Sequence, residues 1–141
     1  VVLAEAGLTR LGMDQDTDRQ GVELIAIDVA DVCPAPAQGA LAIQIRTSDD
    51  VAQQALKTLH DVATARCVEV ERLLLGQFGG GCHLPLGAHC TYQNDSYSLL
   101  AVVASPDGQH RFEARSEGSD LLDVARQAHQ DLVGQGADAY L

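Results

Sequence analysis

The residues most able to do chemistry here lie in a glycine-rich stretch, Phe78-Gly79-Gly80-Gly81-Cys82-His83-Leu84-Pro85-Leu86-Gly87. Gly80 and Gly81 leave the backbone free to adopt positive φ and leave room for something bulky to come close. Cys82 is therefore a reachable thiol, and its thiolate is a soft nucleophile. His83, His89 and Cys90 follow closely enough to raise a zinc reading. Structural zinc sites use ligand pairs two to four residues apart, twice, and adjacent Cys-His pairs do not easily face one ion, so no metal is assigned. Asp14, Asp16 and Asp18 alternate as calcium ligands do, but the glycine and terminal glutamate of a calcium loop are missing. Arg10 offers a planar fork for a carboxylate, although on residue type alone it reads as a surface arginine. His60, His110 and His129 have no partner motif, and Arg46 reads as structural.

The elements that must position Cys82 follow from periodicity. Val1 to Leu11 carries a loose helical stripe stopped by Gly12, and Met13 to Gly21 is a polar loop. Val22 to Val32 alternates weakly. Pro34-Ala35-Pro36 fixes an extended path, Gln38-Gly39 turns, and Ala40 to Arg46 alternates as a strand. Ser48 or Asp49 caps a helix with Ala52, Ala55, Leu56 and Leu59 on one side. A second helix spans about Asp61 to Gln77 with the stripe Ala63, Cys67, Val70, Leu74, Phe78, and Gly79 to Gly81 end it. Arg66, Glu69 and Arg72 mark its outer face. Strands are expected over 88–93, 97–104 (the most apolar, hence central) and 110–115, with turns at Asn94-Asp95 and Ser105-Pro106-Asp107-Gly108. Ser119 or Asp120 caps a last helix carrying Leu121, Ala125, Ala128 and Leu132. The fold class is α+β: a small three-stranded antiparallel sheet with helices on one face, preceded by a partial α/β segment.

With 141 residues, 46% of them hydrophobic, the chain can bury a real core, and with two Phe, three Tyr and no Trp that core must be aliphatic. A net charge of −11 argues against nucleic acid, which needs a basic face. Any carboxylate-rich ligand must therefore be met by a few placed arginines. The irregular spacing of Cys33, Cys67, Cys82 and Cys90 does not read as a disulfide framework. No membrane-length apolar run or targeting peptide appears, and a reducing, cytoplasmic setting is expected. The opening Val1-Val2-Leu3-Ala4, without Met, reads as the start of a fragment.

Three segments, in order, resemble one family. Ala6-Gly7-Leu8-Thr9-Arg10-Leu11-Gly12 is similar to the AGLxRLG segment of the porphobilinogen deaminases (hydroxymethylbilane synthases). Pro34-Ala35-Pro36-Ala37-Gln38-Gly39-Ala40-Leu41-Ala42-Ile43 is similar to their P-x-x-GQGAxxI segment, with Ala37 standing where glycine is usual. Gly80-Gly81-Cys82-His83-Leu84-Pro85-Leu86-Gly87-Ala88 is similar to their cofactor-attachment loop, and Thr64 to Arg72 to the helix before it. The resemblance implies a dipyrromethane held by Cys82 through a thioether, with Gly80 and Gly81 beside it. It places Arg10 against carboxylates of cofactor or substrate and Gln38 near the pyrrole site. It implies a transferase of tetrapyrrole (heme, porphyrin) biosynthesis, which condenses four porphobilinogens with loss of ammonia. Ammonia loss leaves an electron-poor azafulvene, toward which a thiolate is well matched, and a thioether survives repeated cycles.

Family members are about twice as long, and only their C-terminal half is matched. Residues 1–46 are then expected to be a remnant of the second and first domains, and 47–141 the cofactor-carrying domain. The strand 40–46 would lack its sheet, leaving residues 1–46 the least securely folded part or paired with another copy. The family's catalytic aspartate lies in a segment without a counterpart here, and Asp28 and Asp31 do not replace it. The partners implied are porphobilinogen, polypyrrole intermediates and the enzyme's N-terminal domains, and the isolated chain should be inactive. The competing reading is a stand-alone binding or regulatory module that keeps the fold without the chemistry.

Overall fold

The computed structural model describes residues 1–13, 21–81 and 83–141. The expected calcium-like aspartates Asp14, Asp16 and Asp18, and Cys82 itself, lie outside the described residues. The chain separates into two compact units, Val1–Val32 and Cys33–Leu141.

In the first unit, α1 (Glu5–Arg10) is closed by Gly12 at φ 69. The Gly12 amide donates to the Thr9 carbonyl at 3.0 Å and the Met13 amide to that of Leu8 at 2.9 Å, which satisfies carbonyls the helix leaves free. The stretch after Gly21 carries no regular element up to a turn in which Asp28 accepts from the Ala30 amide at 2.8 Å. Asp28 is thus a turn-maker.

The second unit holds the core. Helix α2 (Asp50–Leu56) is capped by Asp49, whose Oδ1 accepts from the Ala52 amide at 2.9 Å, and it runs into a 3-10 turn, Lys57–Leu59. Helix α3 (Val62–Gln77) starts on Asp61, which accepts from the Thr64 amide at 2.7 Å. Strands β1 (Leu86–Gln93), β2 (Ser96–Ala104) and β3 (Arg111–Gly118) form an antiparallel sheet in the order β1-β2-β3. Asn94 and Asp95 both take positive φ, as a tight hairpin turn demands. Helix α4 (Leu121–Gly134) is capped by Asp120, accepting from the Asp123 amide at 2.9 Å, and Ala137–Tyr140 adds a closing 3-10 turn.

Helices α3 and α4 pack against each other and against the same sheet. Leu74 of α3, Leu99 and Val103 of β2, and Val124 and Leu132 of α4 are fully enclosed between them. Each such leucine contributes roughly 1.5–3 kcal/mol by leaving water. The fold is α+β, as the pattern predicts, with β2 central.

The strand expected over 40–46 does not form: the stretch has no ladder partner among the described residues. Leu41 is 97% exposed and Ile43 60% exposed. Alternation specifies a strand only where a neighbouring strand and a covered face exist to reward it.

Candidate functional site

The loop that carries Cys82 is moored at both ends. At its start, the Gly80 amide donates to the Leu75 carbonyl at 3.0 Å and the Gly79 amide to the Gly76 carbonyl at 3.1 Å. This pair of bonds needs the left-handed φ of 87° that Gly79 adopts. Phe78, the last residue before the turn, lies against His129 of α4 with ring centroids 4.5 Å apart. At the far end Leu84 packs on the core, and the Pro85 carbonyl accepts from the Ala104 amide at 3.2 Å. Between these moorings Gly79, Gly80 and Gly81 are exposed, and a Cβ built on any of them would meet nothing within 4 Å. A bulky group tethered in this loop has free space beside the main chain, so the residues present fit a covalent cofactor there.

A second cluster ties the Pro34–Gly39 segment to the elements around the loop. Pro34 lies along the outer edge of β1, where its carbonyl accepts from the Ala88 amide at 2.8 Å. Two residues on, the Cys90 amide of the same edge donates to Oε1 of Glu71 at 2.8 Å. Oε2 of Glu71 accepts from the Ala37 amide at 2.7 Å. Glu71 is only 6% exposed, and among the described residues it makes no ion pair. A carboxylate can accept at both oxygens, and the two N–H donors here meet its charge.

Cys33 enters just before this segment and crosses over Gly87. A Cβ at Gly87 would stand 2.9 Å from the Cys33 Cβ and from its carbonyl oxygen, so only glycine admits this crossing. The Cys33 thiol faces the Leu100 carbonyl at 3.9 Å, and burial together with the nearby Glu71 charge pushes it up to about 11. Burial also raises the Cys67 thiol, and it raises that of Cys90 further, with Cys67 adding to the effect. All three are therefore poor nucleophiles at neutral pH.

Gln38 is exposed and shapes its own turn: its Oε1 accepts from the Ala35 amide at 2.9 Å, and its amide donates to the Ala35 carbonyl at 3.0 Å. Ala37, beside it, sits at φ 64, in the region glycine prefers. Arg10 is exposed and ends α1 in the first unit. His89 and Cys90, neighbours on a strand, point to opposite faces of the sheet. Among the described residues no three His, Cys, Asp or Glu side chains converge as metal ligands.

Sequence reasoning missed Glu71 and Cys33. Glu71 had a signal: it falls on the stripe of Cys67, Val70 and Leu74, an acid among residues that face the core. Cys33 had none, because its burial depends on the distant Gly87.

The chain matches two family models. Residues 1–54 match the porphobilinogen deaminase dipyromethane cofactor binding domain, and residues 65–133 match the porphobilinogen deaminase C-terminal domain. Arg10 and Gln38 fall in the first match and the cysteine loop in the second. The porphobilinogen deaminase of Geobacillus kaustophilus is 39% identical over 142 residues, covering 100% of this chain and 44% of that protein. Those of Thiobacillus denitrificans and Listeria monocytogenes are 38% and 33% identical, again over 100% of this chain and 45% of each relative. The chain thus spans less than half the length of these relatives. With both models agreeing and the matches running along all 141 residues, the chain belongs to the porphobilinogen deaminase family, of which it represents a C-terminal portion.

Proposed function

We propose that this chain is the cofactor-carrying portion of a hydroxymethylbilane-forming porphobilinogen deaminase, with Cys82 as the residue that holds dipyrromethane. The observation that carries the reading is the exposed triple-glycine connection, open at its side and fixed at both ends, that leads into Cys82. When bound, the cofactor supplies the primer to which further pyrroles are joined. The chain's own residues supply a thioether anchor at Cys82 Sγ and clearance at Gly80 and Gly81. Gln38 and Arg10 are the residues offered to pyrrole and carboxylate groups. Residues 47–141 form the cofactor-carrying domain in this reading, and 1–46 belong with the enzyme's other domains. Porphobilinogen and its polypyrrole products are the small-molecule partners, and the cytoplasm is the setting. Among the described residues no helix is long and apolar enough to cross a membrane.

Intact mass under denaturing conditions tests the assignment. A mass excess of one dipyrromethane, mapped to the Gly79–Pro85 peptide and lost in Cys82→Ser, is the expected result. An adduct on Cys33, Cys67 or Cys90 would overturn the residue assignment. An unmodified chain would remove cofactor carriage from it and leave its family in place. Porphobilinogen consumption by the isolated chain should be undetectable, and clear turnover would overturn its description as one portion of a larger enzyme.

A further inference from the structure

We propose that Glu71 is a positioning residue that holds the 35–39 turn, and with it Gln38, against the helix that runs into the cysteine loop. What the two segments do rests on the reading above; the coupling between them stands on its own geometry. Glu71 lies on α3 about two turns before the helix ends at the loop. It is buried, and each of its oxygens takes one backbone donor: Ala37 on the turn at 2.7 Å and Cys90 on β1 at 2.8 Å. The turn residue it grips, Ala37, has a backbone conformation that an alanine would otherwise abandon, φ 64. Gln38 is the next residue, and its amide and side chain both close onto Ala35 within the same turn. Holding Ala37 therefore sets where Gln38 stands relative to α3. Only a carboxylate bridges two donors in this way. Glutamine keeps the shape but offers one acceptor oxygen, and its NH2 must then face a donor. The Cys90 amide is fixed by eight paired positions of the β1–β2 ladder, whereas Ala37 is on a turn, so the turn is the side that lets go.

The test is residue-resolved amide hydrogen exchange on the full chain, wild type against Glu71→Gln. The expected result is exchange about tenfold or more faster at Ala37, Gln38 and Ala40, with Leu99 and Val103 of the central strand changed less than about twofold. A common acceleration of all five amides would show a merely global contribution to stability and overturn the proposal. So would an Ala37 amide that exchanges freely in the wild type, and this arm decides the matter even if the variant fails to fold. In chain that carries the adduct, the Gln38 side-chain NH2 resonance should shift from its adduct-free position in wild type and lose that shift in Glu71→Gln. No shift in adduct-bearing wild type would overturn the positioning of Gln38 toward the cofactor. If wild type carries no adduct, the preceding reading fails on that ground, and the exchange ratio still decides this one.

Discussion

Ala37 and Gly87 show how much of the 33–39 segment's course is set by single backbone positions. Ala37 holds a left-handed φ that costs an L-residue about 1 kcal/mol or more, part of which is returned by its smaller loss of chain entropy relative to glycine. Ala37→Gly should therefore stabilise the fold by about 0.5–1 kcal/mol, read as a higher urea midpoint at unchanged slope. Gly87 is the opposite case, since any Cβ there meets Cys33 backbone and side chain at once. Gly87→Ala should destabilise by about 1–3 kcal/mol in the same assay. The Cys33 thiol, raised from 9.0 to about 11, gives a pH dependence whose sign is fixed. Above its unfolded value the unfolded chain has released a proton that the folded chain keeps, so stability falls as pH rises from about 9 to about 11. Cys33→Ala should flatten the fall of the urea midpoint across that window. At this scale the sequence marked Ala37 only through its place in a family pattern, because a positive φ leaves no trace in composition. It marked Gly87 not at all, because close approach needs a partner more than fifty positions away.

Helix α3 does two jobs, lining the core with Val70 and Leu74 and delivering the chain to the cysteine loop. Its C-terminal turn depends on Gly79, so Gly79→Ala should cost about 1–2 kcal/mol. Amide exchange at Gly79 and Gly80, whose bonds close that turn, should rise with it. Elements governed by local rules were legible in the sequence. Cap signals at 48–49 and 119–120, a helical stripe from about Asp61, the glycine stop after Gln77 and the two hairpin turns placed α2, α3, α4 and all three strands within about three residues. What was not legible was the fate of 40–46, since alternation describes a strand's faces and says nothing about whether a neighbour exists. The burial of Glu71 was legible in principle, since it shares the stripe of Cys67, Val70 and Leu74, although an acid at such a position gives no hint of the donors it will meet.

Across the whole molecule, every buried apolar side chain of the described residues lies between Val70 and Ala137. A chain starting at Cys33 should consequently keep a cooperative thermal transition with a midpoint close to that of the full chain. Loss of cooperativity in that truncation would show that residues 1–32 are needed to complete the fold. The family could be read from ordered motifs, and the α+β architecture from periodicity and turn signals. The clasp that Glu71 makes could not, because it joins three segments whose meeting is a product of the fold. That clasp also bears on how copies of this chain behave toward one another. A strand on the rim of a sheet is a template onto which a second molecule can add its own strand, and β1 is such a rim. Here the Pro34 carbonyl and the Glu71 carboxylate already occupy successive outward donors, Ala88 and Cys90. The same acceptors that order the segment thus withhold these two donors of the rim from any strand a second molecule could add.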